Sequence, residues 1–299
     1  MSVKTKSPSR AIAEKTIFSA FSILKNAGGQ MRGKAVVDKM RETVQFDEYE
    51  KHIYEKTGYV RWESLLHFYT IDCMKAGYLL KENGVWILTN EGTKAIALGP
   101  EKLLSTATQK YRAWSSNRHE NIIDDVEPES NVEQAQQAVL SQFEETALDG
   151  IRDYILKKTP YEFQNIVAYL LSAMGYYIAH IAEKGPDGGI DIIAYNDPLG
   201  AKEPRLIVQV KHRPYDSVPA EDIQKLVGTM KRGSDVGIFV TSGQFSKPSK
   251  TEARTSHKHI ELIDLGRFIK LWIENYSRMN DEQKNALPLH PIYFLGSNE

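Results

Sequence analysis

The chain has 299 residues, 41% of them hydrophobic and 26% charged, with a formal net charge of -1. That length suits two domains, each able to bury its own core, and a charge so near neutral excludes a protein that coats polyanions by bulk attraction. The sequence has no apolar run of bilayer length and only one cysteine, Cys73, which excludes a spanning helix, an intrachain disulfide and a cysteine zinc cluster.

In chain order, the polar and basic stretch Met1–Arg10 lacks a secretory pattern, so the expected location is the cytoplasm. Ile12, Ile17, Phe18, Phe21 and Leu24 then fall at helical spacing, and Gly28-Gly29 ends the pattern. Val36, Val37 and Met40 predict a second helix. Trp62, Leu65, Leu66, Phe68, Tyr69 and Met74 predict a third, stopping at Gly77. Tyr78–Leu80, the turn Glu82-Asn83-Gly84 and Val85–Leu88 read as a hairpin. Helices closed by a hairpin predict a mostly helical winged-helix domain over residues 1–100, a shape that sets one helix in the major groove of DNA. Lys75, Lys81 and Lys94 are its candidate phosphate contacts, and solvated surface lysines explain each of them as well.

Charge is unevenly spread: residues 1–100 carry 15 Lys/Arg against 11 Asp/Glu, residues 101–150 carry 4 against 10, and residues 151–299 carry 19 against 18. Apolar density falls from Thr106 to Gln142, and Asp124, Asp125, Glu127, Pro128 and Glu129 cluster there, so 101–135 is expected to be an acidic linker. Val139, Leu140, Phe143, Leu148, Ile151 and Ile155 are loosely helical and are expected to pack onto a domain spanning 136–299.

That last domain alternates its elements. Thr159-Pro-Tyr-Glu162 combines a proline suited to the first helical position with a capping box, and Phe163, Ile166, Val167, Leu170, Leu171 and Met174 follow at helical spacing before Gly175. Strands are expected near 176–181, 190–195, 205–211, 236–241 and 260–263, with helices near 220–232, 247–256 and 265–276. A helix between the strands at 205–211 and 236–241 makes a parallel crossover, so the fold class is α/β with a mixed sheet.

The chemistry concentrates on Gly185-Pro-Asp-Gly-Gly-Ile-Asp191 and Arg205-Leu-Ile-Val-Gln-Val-Lys211. Gln209 and Lys211, two apart on a strand, look one way while Val208 and Val210 look into apolar packing. Phosphodiester hydrolysis needs a divalent cation, and hard oxygen ligands suit magnesium (Mg2+). Asp191 supplies a carboxylate, Gln209 an amide oxygen and Val210 a backbone carbonyl; Lys211 is placed to orient the attacking water. An Asp before Ile-Ile-Ala is costly to bury without a partner. Gln209 in place of an acid leaves a charge deficit that Glu162 can make good, although the capping box already gives Glu162 a structural task. Asp187, between Pro186 and Gly188, reads both as a turn residue and as a second metal carboxylate. No Gly-rich loop ending in Gly-Lys-Ser/Thr is present, so no nucleotide triphosphate is expected, and neither a nucleophile elbow nor a HExxH helix appears. Thr241–Ser246 presents backbone amides to a phosphate or forms an ordinary strand-to-helix turn.

At these residues the chain resembles the Mrr-like restriction endonucleases of the PD-(D/E)XK nuclease superfamily. The resemblance rests on Tyr161-Glu-Phe163, Met174-Gly-Tyr176, Asp187-Gly-Gly-Ile-Asp191, Val208-Gln-Val-Lys211, Gly237-Ile-Phe-Val-Thr-Ser242 with Phe245-Ser246, and Ile260-Glu-Leu-Ile-Asp264, and covers most of 159–276. More weakly, Val85-Trp-Ile-Leu-Thr-Asn-Glu-Gly92 is similar to the winged-helix domain that precedes this nuclease. The resemblance implies a type IV restriction enzyme that cleaves methylated foreign double-stranded DNA with magnesium and without ATP. It implies Asp191, Gln209 and Lys211 as the catalytic set and Glu162 as the helix acid assisting the metal. Two strand breaks need two centres, which makes a homodimer or larger homo-oligomer the expectation. A DNA-binding regulator whose nuclease fold no longer cuts, and a structure-selective repair nuclease, are the alternatives.

Overall fold

The structure, a computed structural model, describes residues 7–54, 58–116, 132–183 and 189–292, with the side chains of 114–116 and 132–136 excepted. Asp187 and the acidic cluster from Asp124 to Glu129 lie outside the described residues. The chain forms two compact units, Met1–Asp149 and Gly150–Glu299.

The first unit opens with α1 (Pro8–Asn26), whose N-cap Ser7 accepts from the Arg10 N–H. Then come β1 (Gln30–Arg32), α2 (Gly33–Thr43), α3 (Arg61–Lys75), β2 (Leu79–Glu82) and β3 (Val85–Leu88). The hairpin closes through Asn83 and Gly84 at φ 51° and 76°, the left-handed pair that a two-residue turn between twisted strands requires. The antiparallel strands stand in the order β1-β3-β2. Helix, strand, two helices and a hairpin make this a helical unit with a small three-stranded sheet, built around Ile17, Phe21, Leu24, Leu65, Leu66 and Trp86.

Beyond the hairpin the described part of the expected linker over 101–135, residues 101–116 and 132–135, is helical. Thr89 caps α4 (Asn90–Ala95), and α5 (Gly99–Ser116) buries Leu103, Leu104, Ala107 and Tyr111 in this same core. The helix is hard to read because small and polar side chains share its buried face: Thr108 donates to Asp72 at 2.8 Å and accepts from Arg10 at 3.1 Å. Helix α6 (Val132–Leu156) contains the boundary between the units, and its residues 138–149 group with the first unit. Ala138 joins the first core, and Glu145 accepts from Trp86 Nε1 at 3.0 Å.

In the second unit α7 (Pro160–Ala173) precedes β4 (Tyr177–Ile181), β5 (Ile192–Tyr195), β6 (Leu206–Lys211), β7 (Ser217–Val218), α8 (Ala220–Thr229) and β8 (Val236–Thr241). It closes with β9 (Gln244–Phe245), α9 (Lys247–Thr255), β10 (Ile260–Ile263), α10 (Leu265–Asn275) and α11 (Asp281–Ala286). The five-stranded sheet has the order β10-β8-β6-β5-β4, parallel from β10 to β6 and antiparallel from there to β4. All five expected strands are present. One face packs Ile207 and Phe239 against Ile223 and Leu226 of α8. Phe163 of α7 meets Phe268 of α10 at 5.5 Å between ring centroids, and Val208 and Val210 are buried.

Candidate active site

The centre of the sheet positions the candidate residues. Asp191, just before β5, donates its N–H to Val208 O at 3.0 Å, and its Oδ2 accepts from the Val210 N–H at 2.7 Å. The aspartate therefore stands alongside Gln209, bonded to the residue on either side of it. Both are buried, at 6% and 5% exposure. N–H and C=O of one residue leave a strand on the same edge, so the Val210 carbonyl emerges where Asp191 stands.

Gln209 carries the most informative atom. Its Oε1 is buried without a hydrogen-bond partner among the described residues. Leaving such an acceptor unsatisfied costs about 1–3 kcal/mol, and nearly all buried polar atoms avoid it. A hard cation satisfies that oxygen, and an Asp carboxylate, an amide oxygen and a backbone carbonyl fit magnesium. Among the described residues no three His, Cys, Asp or Glu side chains gather as a metal cluster, so such an ion would depend on this mixed donor set.

Lys211, half-buried, ends β6 on the same strand face as Gln209. Its carbonyl accepts from Thr241 Oγ1 at 3.0 Å, Arg213 N at 3.1 Å and Ser242 N at 3.2 Å, which fixes the strand end carrying the ammonium. Gly243 serves the same corner: a Cβ there would lie 2.3 Å from the carbonyl oxygens of both Arg213 and Asp216.

Glu162 is held elsewhere. Its Oε2 accepts from the Thr159 N–H at 2.8 Å, closing the capping box, and its Oε1 faces Lys158 Nζ at 3.4 Å. The Thr159 amide, first among the causes, lowers the Glu162 pKa. Both carboxylate oxygens are thus engaged at the start of α7, and the structure does not bring Glu162 to Asp191 or Gln209. The buried helix side chain that does reach this corner is Gln164: its Nε2 donates to Ala182 O at 2.9 Å, and the Ala182 N–H donates to Asp191 O at 2.8 Å. Sequence reasoning missed it, although an amide inside the apolar run Phe163–Val167 was a signal.

Of the lysines expected to meet phosphate, Lys75 and Lys94 are exposed, the latter paired with Glu91 at 2.9 Å. Lys81 corrects the expectation of a surface contact. Its side chain is 10% exposed, pairs with Glu145 at 2.9 Å and lies 4.3 Å from the Trp86 ring centroid. Burial lowers its pKa while Glu145 opposes that shift, because a buried ammonium survives only with a partner.

This corner, with a buried carboxylate beside an orphan amide oxygen and a lysine two residues on, lies within residues 155–272, which match the family Mrr_cat, described as restriction endonuclease. The second unit therefore carries the segment that matches this restriction endonuclease family. The chain is 27% identical over 173 residues to the type IV methyl-directed restriction enzyme EcoKMrr of Escherichia coli (strain K12), an overlap of 56% of this chain and 54% of that protein. It thus spans about half the length of this curated relative. Among solved structures, MspJI restriction endonuclease in complex with a 27-mer oligonucleotide is 18% identical with a TM-score of 0.33, covering 68% of this chain and 52% of that one. The DNA modification-dependent restriction endonuclease AspBHI is 15% identical with a TM-score of 0.37, covering 68% and 54%.

Proposed function

We propose that the protein is a magnesium-dependent endodeoxyribonuclease of the type IV class, cutting double-stranded foreign DNA that carries methylated bases. The observation that carries the proposal is the buried, unpartnered Oε1 of Gln209 alongside the Asp191 carboxylate. Asp191, Gln209 Oε1 and the Val210 carbonyl would hold the cation, which when bound supplies charge neutralisation at the phosphate and a more acidic water. Lys211 orients the attacking water and offsets the negative charge that develops on the phosphoryl oxygens. Glu162, engaged in its cap, assists this set at most through water. The first unit reads the modified base, with Lys75 and Lys94 on phosphates. Two such nuclease centres, in a homodimer, account for breaks in both strands. The family description supports a DNA hydrolase, and the relative's printed name supports the methyl-directed part. No helix of the described residues is long and apolar enough to cross a membrane, and a restriction role places the protein in the cytoplasm.

The test incubates methylated and unmethylated copies of one plasmid with the protein, in magnesium and in EDTA, beside the Asp191→Ala and Lys211→Ala variants. The expected result is cutting of the methylated copy alone, dependent on magnesium and lost in both variants. Equal cutting of both copies removes methylation from the proposal. Binding without cutting replaces it with a regulator.

A further inference from the structure

A second charged feature lies on the same face of the sheet as Gln209. Arg205, immediately before β6, Ile207 and Gln209 alternate along the chain and so look toward α8. At the end of α8 a cleft of about 380 Å³ is lined by Ile190, Arg205, Gly228, Thr229, Lys231 and Arg232. Gly189 joins it to the candidate centre, since a Cβ there would lie 3.8 Å from both Gln209 Nε2 and Thr229 Cγ2.

Among the described residues the lining holds three cations and no acid. Arg205 is braced from behind: Asp235, itself fully buried, accepts from its Nε at 2.8 Å and its Nη2 at 2.7 Å, and also from the Arg232 N–H at 2.8 Å. Lys231 donates to Gly228 O at 3.0 Å, the ordinary use of a cation after a helix C-terminus. Arg232 is different. Its side chain is exposed, and its guanidinium makes no hydrogen bond or ion pair among the described residues, although its main chain is pinned by Asp235 and by Lys258 Nζ on its carbonyl at 2.6 Å.

We infer that this cleft is a binding site for a backbone phosphate of the DNA strand that runs past the candidate centre, with Arg232 and Lys231 as its ligands and the Arg205–Asp235 pair as its floor. The inference rests on the proposed nuclease reading and deepens it. From Gln209 to Arg205 is four residues, about 13 Å along the strand, a length that duplex DNA crosses in about four nucleotides at a rise of about 3.4 Å. The phosphate held here is therefore within a few nucleotides of the one to be cut, and the contact fixes register without reading sequence.

The experiment measures binding of a 30-base-pair duplex by fluorescence anisotropy across a potassium chloride series, with the full chain in a Lys211→Ala background so that bound DNA is not consumed. Adding Lys231→Ala and Arg232→Ala together should weaken binding about tenfold at low salt and reduce the slope of log affinity on log salt by about 1, the signature of one lost phosphate contact. Lys270→Ala on α10 should change neither quantity, and unaltered thermal midpoints show that all variants fold. Parental affinity and slope in the double variant, or an equal loss in Lys270→Ala, overturns the inference while leaving the nuclease reading intact if wild type cuts. Failure of the parent to bind any duplex overturns both.

Discussion

Replacing Gln209 by Met tests the metal assignment without relying on activity. Methionine keeps an unbranched side chain of similar volume and removes the amide. In the parent, the orphan Oε1 costs about 1–3 kcal/mol, and the donor bond that the amide nitrogen can make returns about 0.5–1.5 kcal/mol. The net expectation is a second unit more stable by about 1 kcal/mol, which for a unit of this size raises its melting temperature by about 2–4 °C. The assay is calorimetry of the full chain in EDTA and again in magnesium. In EDTA the Gln209→Met variant should melt above the parent. In magnesium the parent should gain up to about 2.7 kcal/mol at a hundredfold excess over Kd, whereas the variant gains little. A variant that cuts no DNA yet is the more stable protein is the expected pairing, because functional sites hold groups that folding alone would discard. A variant that melts below the parent in EDTA, or that gains as much from magnesium, would refute the assignment of Oε1 as a ligand.

Substitutions at three other residues separate structural from functional roles. Glu162→Gln preserves the capping box and should leave cutting at the parental rate, whereas Glu162→Ala should lower the melting temperature of the second unit; loss of cutting in Glu162→Gln at unchanged stability would restore the acid to the metal site. Lys81→Met leaves the half-buried Glu145 with its Trp86 bond but no cation and should cost the first unit about 1–3 kcal/mol in a urea titration; a variant of unchanged stability with weakened DNA binding would instead make Lys81 a phosphate ligand. His67 is buried with its Nδ1 unpartnered, and burial first, then the Lys81 charge, holds its pKa well below the ordinary 6.5. The folded state thus keeps it neutral, so its contribution to stability is complete above 6.5 and is lost as pH falls below that value. The unfolding free energy of the first unit should drop between about pH 6.5 and pH 5, by up to about 1.4 kcal/mol per pH unit for one such group, and its melting temperature with it. His67→Phe should flatten that dependence, and an equally steep profile in the variant assigns it to other groups.

What could be read from the chain was whatever local rules dictate. Asn83-Gly84 announces a left-handed turn, Thr159 and Glu162 announce a helix start, and Leu206–Lys211 announces a strand; each appears where the pattern puts it. Features made by contact between distant segments stayed hidden. Helix α5 belongs to the first core through Thr108 and Asp72, a bond across 36 residues that lowers its apparent apolar character. The short parallel pair of β7 and β9 has two residues to a strand and carries no periodicity at all. Spacing placed Gln209 and Lys211 on one face, but only the fold shows that Asp191 caps the Val210 amide and that Glu162 is consumed by its own helix.

Among the described residues the candidate centre holds a single acid, Asp191, and that has a physical consequence. A glutamate at 209 would set two carboxylates side by side in a buried corner, and at about 5 Å with an effective dielectric of about 20 their repulsion is about 3 kcal/mol before any cation arrives. With Gln209 that cost is absent, and the strand pair carries one charge, which the Val210 amide already meets at 2.7 Å. The corner can therefore fold without metal, at the smaller expense of one orphan oxygen. The same choice leaves a divalent cation with only half its charge balanced by the described residues. A phosphate supplies the missing negative charge, so under the proposed function cation and DNA reinforce one another's binding, and by linkage the reinforcement is equal in both directions. The braced, cationic cleft beside Thr229 acts on the same balance, because holding a neighbouring phosphate brings the scissile one to the corner that is short of charge.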